Sequence, residues 1–183
     1  MERRQAALAS VLALASAMAL ASCVDQAGPD DTRASEVYTA VVRWFVHDET
    51  GAAVPATLAD DERFHVFLEP RGEGGRIDLQ VQTELIDDLA GVAEVRFIDA
   101  IDEAIERPAE EGGAAEVRDE GVLLRLDPVP EDGDRVELDV DRWLHSIDGA
   151  DEVEEVFETL RFEVVSRGDG WQLVGEPEVL TPG

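Results

Sequence analysis

Lysine and asparagine are absent from the 183 residues, and cysteine occurs once, at Cys23. Without lysine there is no phosphate-cradling P-loop lysine, no Schiff base and no serine–lysine pair, so nucleotide hydrolysis of the common type and pyridoxal chemistry are excluded. One cysteine cannot form an intrachain disulfide, a cysteine zinc finger or an iron–sulfur site. The three histidines, His47, His65 and His145, make no i, i+4 pair around a glutamate, so the zinc-peptidase pattern is missing too. A three-histidine metal site would need all three distant residues to converge. Positive charge is scarce: 15 basic side chains, every one an arginine, face 43 acids for a net charge of −28. Phosphate backbones are bound by clustered cations that release counterions, which argues against nucleic acid as the main partner. Anionic lipid surfaces are disfavoured for the same reason.

What the chain does have begins at its first residues. Arg3 and Arg4 form a short positive start, and residues 5–20 are almost wholly alanine, leucine, valine, methionine and serine before the small residues Ala21 and Ser22. This is the pattern of a secretory leader. An apolar run of about 16 to 18 residues is marginal for spanning a bilayer, and it ends in small residues rather than a positive stop-transfer flank. Cleavage rather than retention is the expectation. Adjacent arginines also raise twin-arginine export, but residues 2–6 carry no more of that pattern, so the export route stays open.

Leu20-Ala21-Ser22-Cys23 resembles the lipobox of bacterial lipoprotein precursors: aliphatic, small, small, then cysteine. The resemblance implies that residues 1–22 are removed and that Cys23 is lipidated to become the new first residue. An odd cysteine in an exported protein calls for such an explanation, and with Cys23 committed to lipid no thiol nucleophile remains. Two acyl chains suffice for stable anchoring where one would not. The expected location is therefore the extracytoplasmic face of the cell membrane, held through the lipid. Residues 23–34 read as lipidated cysteine and flexible tether with Gly-Pro punctuation, and 35–183 as a single acidic domain. Residues 39–43, 95–99 and 121–124 also loosely resemble segments of uncharacterised exported proteins of high-G+C bacteria, a likeness that transfers no site.

The expected fold class is α+β: one N-terminal amphipathic helix and one or two short helices packed on a mostly antiparallel sheet with C-terminal hairpins. Thr32 or Asp31 can cap a helix whose apolar positions Val37, Tyr38, Val41, Val42, Trp44 and Phe45 recur at three- and four-residue spacing, ending near His47. Phe64, Val66 and Leu68 alternate as in a half-buried strand closed by Pro70. Ile77, Leu79 and Val81 alternate again, then Leu85, Ile86 and Leu89 switch to helical spacing up to Gly91. Residues 92–98 predict a strand, and Ile98, Ile101 and Ile105 a short helix broken at Pro108, followed by loop over 108–120. Val122/Leu124/Leu126 and Val136/Leu138/Val140 predict a hairpin joined by 127–134. Val153, Val156, Phe157 and Leu160 fit a helix face while Leu160, Phe162 and Val164 fit a strand; strand is expected from 160 onward. Residues 168–170 signal a tight turn, and Trp171 and Leu173 begin a final strand that Pro177 weakens. No internal repeat is present.

Carboxylates are the chemistry that survives the inventory. Ser35, Ser146 and Ser166, the serines beyond the leader, lack the glycine–serine–glycine elbow of hydrolases. Three acidic clusters stand out: Asp99, Asp102, Glu103 and Glu106, which would share one face of a helix over 99–107; Asp60, Asp61 and Glu62; and Glu152, Glu154 and Glu155. A solvated face is the ordinary meaning of such clusters, and weak calcium or magnesium binding by oxygen ligands is the functional one. Asp99, Asp102, Glu103 and Glu106 are the metal candidates on this basis, while no catalytic residue and no cofactor is specified. Trp44 and Trp171 are expected in the core, with Trp143 less committed. Two functions are compatible with this inventory. One is a membrane-tethered, non-catalytic module that binds a protein or small molecule of unspecified kind. The other is a carboxylate-dependent hydrolase of cell-wall or extracellular glycans, which would need two carboxylates in a concave site and at least one raised pKa.

Overall fold

The structure is a computed structural model and describes residues 29–50, 63–72, 75–107, 115–148, 153–168 and 170–181. Its first element, α1 (Pro29–Thr50), starts earlier than the expected cap at Asp31 or Thr32. Proline at the first helical position has no N–H to leave unpaired and a backbone angle already suited to the helix. Five residues, 24–28, lie between Cys23 and the first helical residue, so residues 29–34 of the stretch expected as a tether are helical. The apolar stripe of α1 behaves as its spacing requires: Val37, Val41, Val42 and Phe45 are fully buried.

β1 (Phe64–Pro70) leads through α2 (Leu79–Leu89) to β2 (Ala93–Phe97), which pairs parallel with β1. Asp78 caps α2 by accepting a hydrogen bond from the Gln80 N–H at 2.8 Å. The strand-like alternation of Ile77, Leu79 and Val81 is thus overridden. Leu79 begins a helix whose core face is Val81, Leu85 and Leu89, and Leu79 itself points out at 76% exposure.

The expected helix over 98–107 is absent. Ile101–Glu103 form one 3₁₀ turn, and β3 (Ile105–Glu106) pairs antiparallel with β4 (Glu116–Val117). Part of the loop expected over 108–120 is that strand and a second 3₁₀ turn, Arg118–Glu120; residues 108–114 lie outside the described ones. The isoleucine spacing still marked a buried stripe, since Ile98, Ile101 and Ile105 join Phe67, Leu123 and Trp143 in a cluster of their own.

The main sheet runs β2-β1-β5-β6-β7-β8, with β5 (Val122–Leu126), β6 (Arg135–Asp148), β7 (Val153–Arg167) and β8 (Gly170–Leu173); β9 (Glu178–Thr181) pairs with β7 beside β8. β1 is parallel to both neighbours, and the other pairings in the sheet are antiparallel. The molecule is α+β, with helices on a mixed, mostly antiparallel sheet. β5 and β6 pair antiparallel as expected, but Leu126 lies opposite Val140, so the first residues of β6, from Arg135, run past the end of β5 and pair with β7 alone. β7 is strand from Val153, not from residue 160. Its mixed spacing arises because Phe157 packs against the second cluster while Leu160, Phe162 and Val164 face the helices, with a bulge between Trp143 and His145 on the partner strand. The final strand is two short ones, divided at 174–177.

α1 and α2 cover one face of the sheet, burying Val66, Leu68, Leu124, Leu138, Val140 and Phe162 among others. Residues 98–105 and 115–117 cover part of the other face, over Phe67 and Leu123. β1 and β5 are therefore buried on both sides, not half-buried, which suits their near-continuous apolar runs. Among the described residues no helix is long and apolar enough to cross a membrane.

Candidate functional site

A cleft of about 520 Å³ opens where β1 and β2 end and α2 begins, lined by Pro70, Gly75, Arg76, Ile77, Asp78, Leu79, Gln82, Phe97, Ile98 and Asp99. Parallel strands place their carboxyl ends side by side, and the crossover helix starts at that same end, which makes it a recurrent location for ligands in open sheets. Volumes of this size are typical of small-molecule sites. The local sequence builds the walls. The Ile98 N–H donates to the Leu68 carbonyl at 3.0 Å, fixing the exit of β2 against β1. Gln82 Nε2 donates to the Ile77 carbonyl at 2.8 Å and holds the loop before α2 onto the helix. Gly75 passes so close to the preceding turn that a Cβ there would sit 2.9 Å from the Arg71 carbonyl oxygen.

The floor is apolar, with Ile77 and Ile98 buried and Phe97 half-buried. Three charged groups surround it: Arg76, Asp78 and Asp99. One oxygen of Asp78 is taken by the helix cap. Arg76 is exposed and, among the described residues, has no ion-pair or hydrogen-bond partner.

Most other guanidinium groups are engaged. On the second sheet face Arg161 grips Asp139 with two bonds of 2.7 and 2.8 Å, and Arg71 meets Asp141 at 3.2 Å and Asp127 at 3.4 Å. Arg125 bonds Glu69 at 2.5 Å and lies over the Phe157 ring at 4.1 Å. These pairs turn a polar strip of sheet into a self-satisfied surface. The Arg161 hydrogen bond holds the Asp139 carboxyl below its ordinary range, and the Arg96 hydrogen bond does the same to Glu94. Both displacements run opposite to what a general acid requires.

Of the four metal candidates, only Asp99 lines the cleft. Without the expected helix they do not share a face. Glu103 Oε1 accepts from the N–H groups of Asp99 and Ala100, each at 3.2 Å, capping the 3₁₀ turn. Asp102 takes the Arg107 guanidinium at 3.1 Å, and Glu106 lies opposite Glu116 across the β3/β4 pair. Asp60, Asp61, Glu62 and Glu152 lie outside the described residues, and Glu155 is 3.7 Å from Arg125. Among the described residues no group of three or more His, Cys, Asp or Glu is placed to hold a metal ion. The histidines sit apart, on α1, β1 and β6; His65 Nδ1 stands 3.9 Å from Glu94 and 4.0 Å from Asp119.

The tryptophans also reorder the expectation. Trp143 is the buried one, at 4% exposure, whereas Trp44 and Trp171 are half-buried against the core. Trp44 Nε1 donates to Glu176 at 3.3 Å in a second, more open groove formed with Ala40, Arg43, His47 and Leu173. No protein-family model, curated protein or solved structure matches the chain. Arg76, Asp78, Leu79, Gln82 and Phe97 carry no motif spacing, and only the β1-α2-β2 crossover assembles them.

Proposed function

We propose that this protein is a lipid-anchored binding module on the extracytoplasmic face of a bacterial cell membrane, without catalytic activity of its own, whose ligand occupies the cleft at the ends of β1 and β2. The observation that carries the reading is the placement of the sole cysteine, Cys23, directly after Leu20-Ala21-Ser22 and a positively started apolar leader. Acylation there accounts for the odd thiol and for retention at the membrane. The cleft supports a holding role rather than a hydrolytic one. It combines an apolar floor with an exposed guanidinium, the lining that fixes a ligand's position and orientation.

Expression of the full chain in a bacterial host with lipoprotein-processing enzymes tests this. The expected result is recovery in the membrane fraction, with an intact mass that places a diacylglyceryl group on an N-terminal Cys23, and loss of that mass increment in Cys23→Ser. A bare thiol at residue 23 of mature material, or wild-type chain in the cytosol, overturns the anchor. Release of reducing ends from peptidoglycan by the purified protein overturns the non-catalytic assignment.

A further inference from the structure

The placement of the cleft relative to the first helix says where its ligand comes from. Arg33, in the first turns of α1, donates to the carbonyls of Glu131, Asp132 and Gly133 at 3.1, 2.7 and 2.7 Å. Tyr38 donates to the carbonyl of Asp127 at 2.9 Å. Asp127 follows directly on β5 and Glu131–Gly133 lie in the loop from it to β6; the last residue of β5, Leu126, lies opposite Pro70, the last residue of β1. The start of α1 and the carboxyl ends of β1, β2 and β5 therefore occupy one end of the molecule. α2 agrees in direction, since Ser35 of α1 bonds Glu84 and Arg43 bonds the carbonyl of Asp88 further along. The last residues of β6 and the first of β7 lie at the opposite end.

Five residues link Cys23 to Pro29, a span of about 20 Å when fully extended. An acylated Cys23 thus holds the cleft end of the molecule close to the lipid headgroups. The lining narrows the chemistry. One cation, Arg76, without an ion-pair partner among the described residues, and two carboxylates, Asp78 and Asp99, border the same apolar floor, which complements a ligand carrying both an anion and an ammonium group. A purely anionic lipid would meet those carboxylates and a chain of net charge −28, which repels it. Leu79, 76% exposed at the rim, offers an apolar contact to the glycerol and upper acyl region.

We infer that the cleft binds the phosphate–ammonium headgroup of a zwitterionic aminophospholipid of the membrane that carries the protein, with Arg76 on the phosphate, Asp99 on the amine and Leu79 against the acyl stem. This rests on the lipid-anchor reading for the source of the ligand, while the chemistry of the cleft stands apart from it.

Titration calorimetry of the full-length Cys23→Ser chain tests the inference, using dihexanoyl phosphatidylethanolamine below its micellar concentration. The expected result is saturable one-site binding, at least tenfold weaker for dihexanoyl phosphatidylglycerol, which lacks the amine, and for inorganic phosphate. Arg76→Glu and Asp99→Asn each weaken binding at least tenfold, with unchanged far-ultraviolet circular dichroism. No saturable heat, equal affinity for the two lipids, or full affinity in Arg76→Glu overturns the inference. Because the titrated chain carries no acyl group, the two readings fail separately. Absent binding alongside an acylated wild-type Cys23 removes only the headgroup site, whereas binding alongside a bare Cys23 supports that site and removes only the anchor.

Discussion

Tyr38 is the one tyrosine in the chain, so its titration can be followed without overlap from another phenol. Its hydroxyl donates to the Asp127 carbonyl at 2.9 Å, and burial pushes its pKa from 10.0 up to about 12, with the Asp127 carboxylate adding to the rise. A raised folded-state pKa means that the folded protein favours the neutral phenol. That contribution to stability is complete below the unfolded value near 10 and is lost as pH rises through about 12. Absorbance near 295 nm is expected to show a tyrosinate midpoint close to 12 in folded protein and close to 10 in urea. A folded-state midpoint near 10 would mean that the phenol is solvated and that α1 does not dock on the loop after β5. Tyr38→Phe should remove the alkaline dependence and lower stability by about 1 kcal/mol, the usual net worth of such a bond.

Among elements, β5 shows what two-sided burial demands. Leu123 is fully buried within the second cluster while Val122 and Leu124 are buried beneath the helices. Leu123→Ala should lower unfolding free energy by about 2–5 kcal/mol, whereas Ile86→Ala should stay within about 0.5 kcal/mol, because Ile86 is 45% exposed on α2. Urea denaturation of the two variants checks this, and equal losses would mean that Ile98, Ile101 and Ile105 do not pack on the sheet. Elements with one clean period were legible in the sequence: α1, β1, β2 and the β5/β6 hairpin. The rest misled for identifiable reasons. Leu79 looks like a core residue by its spacing from Ile77 and Val81, yet it is the exposed rim of the cleft. Val156 and Phe157 blurred the period of β7 because apolar side chains leave both faces of that strand, and the isoleucines at 98, 101 and 105 bury one side without a helix to carry them. The cleft was the least legible feature. Asp99 stands out in the sequence only for its charge, and Arg76 and Phe97 are brought together by a parallel crossover that leaves no spacing signal.

For the whole molecule, the excess of acids outweighs the ion pairs. Bringing charges from the sheet, loops and helices into one folded volume raises their mutual repulsion, and salt shortens its range from about 30 Å at 0.01 M to about 10 Å at 0.1 M. The urea midpoint should therefore rise between those salt concentrations, even though exposed pairs such as Arg96–Glu94, at 2.6 Å, weaken over the same interval. A falling midpoint would mean that the arginine pairs, not the net charge, set the balance.

The long-range docking of α1 also bears on when the chain can close. Its contacts reach carbonyls 98 to 100 positions downstream, and Arg33 stacks 4.7 Å from the ring centroid of Trp171. A polypeptide emerging amino end first presents this helix well before the surfaces that receive it exist. Native closure must wait until nearly the entire length is free, which would keep the chain threadlike during the export that the proposed lipid anchor entails.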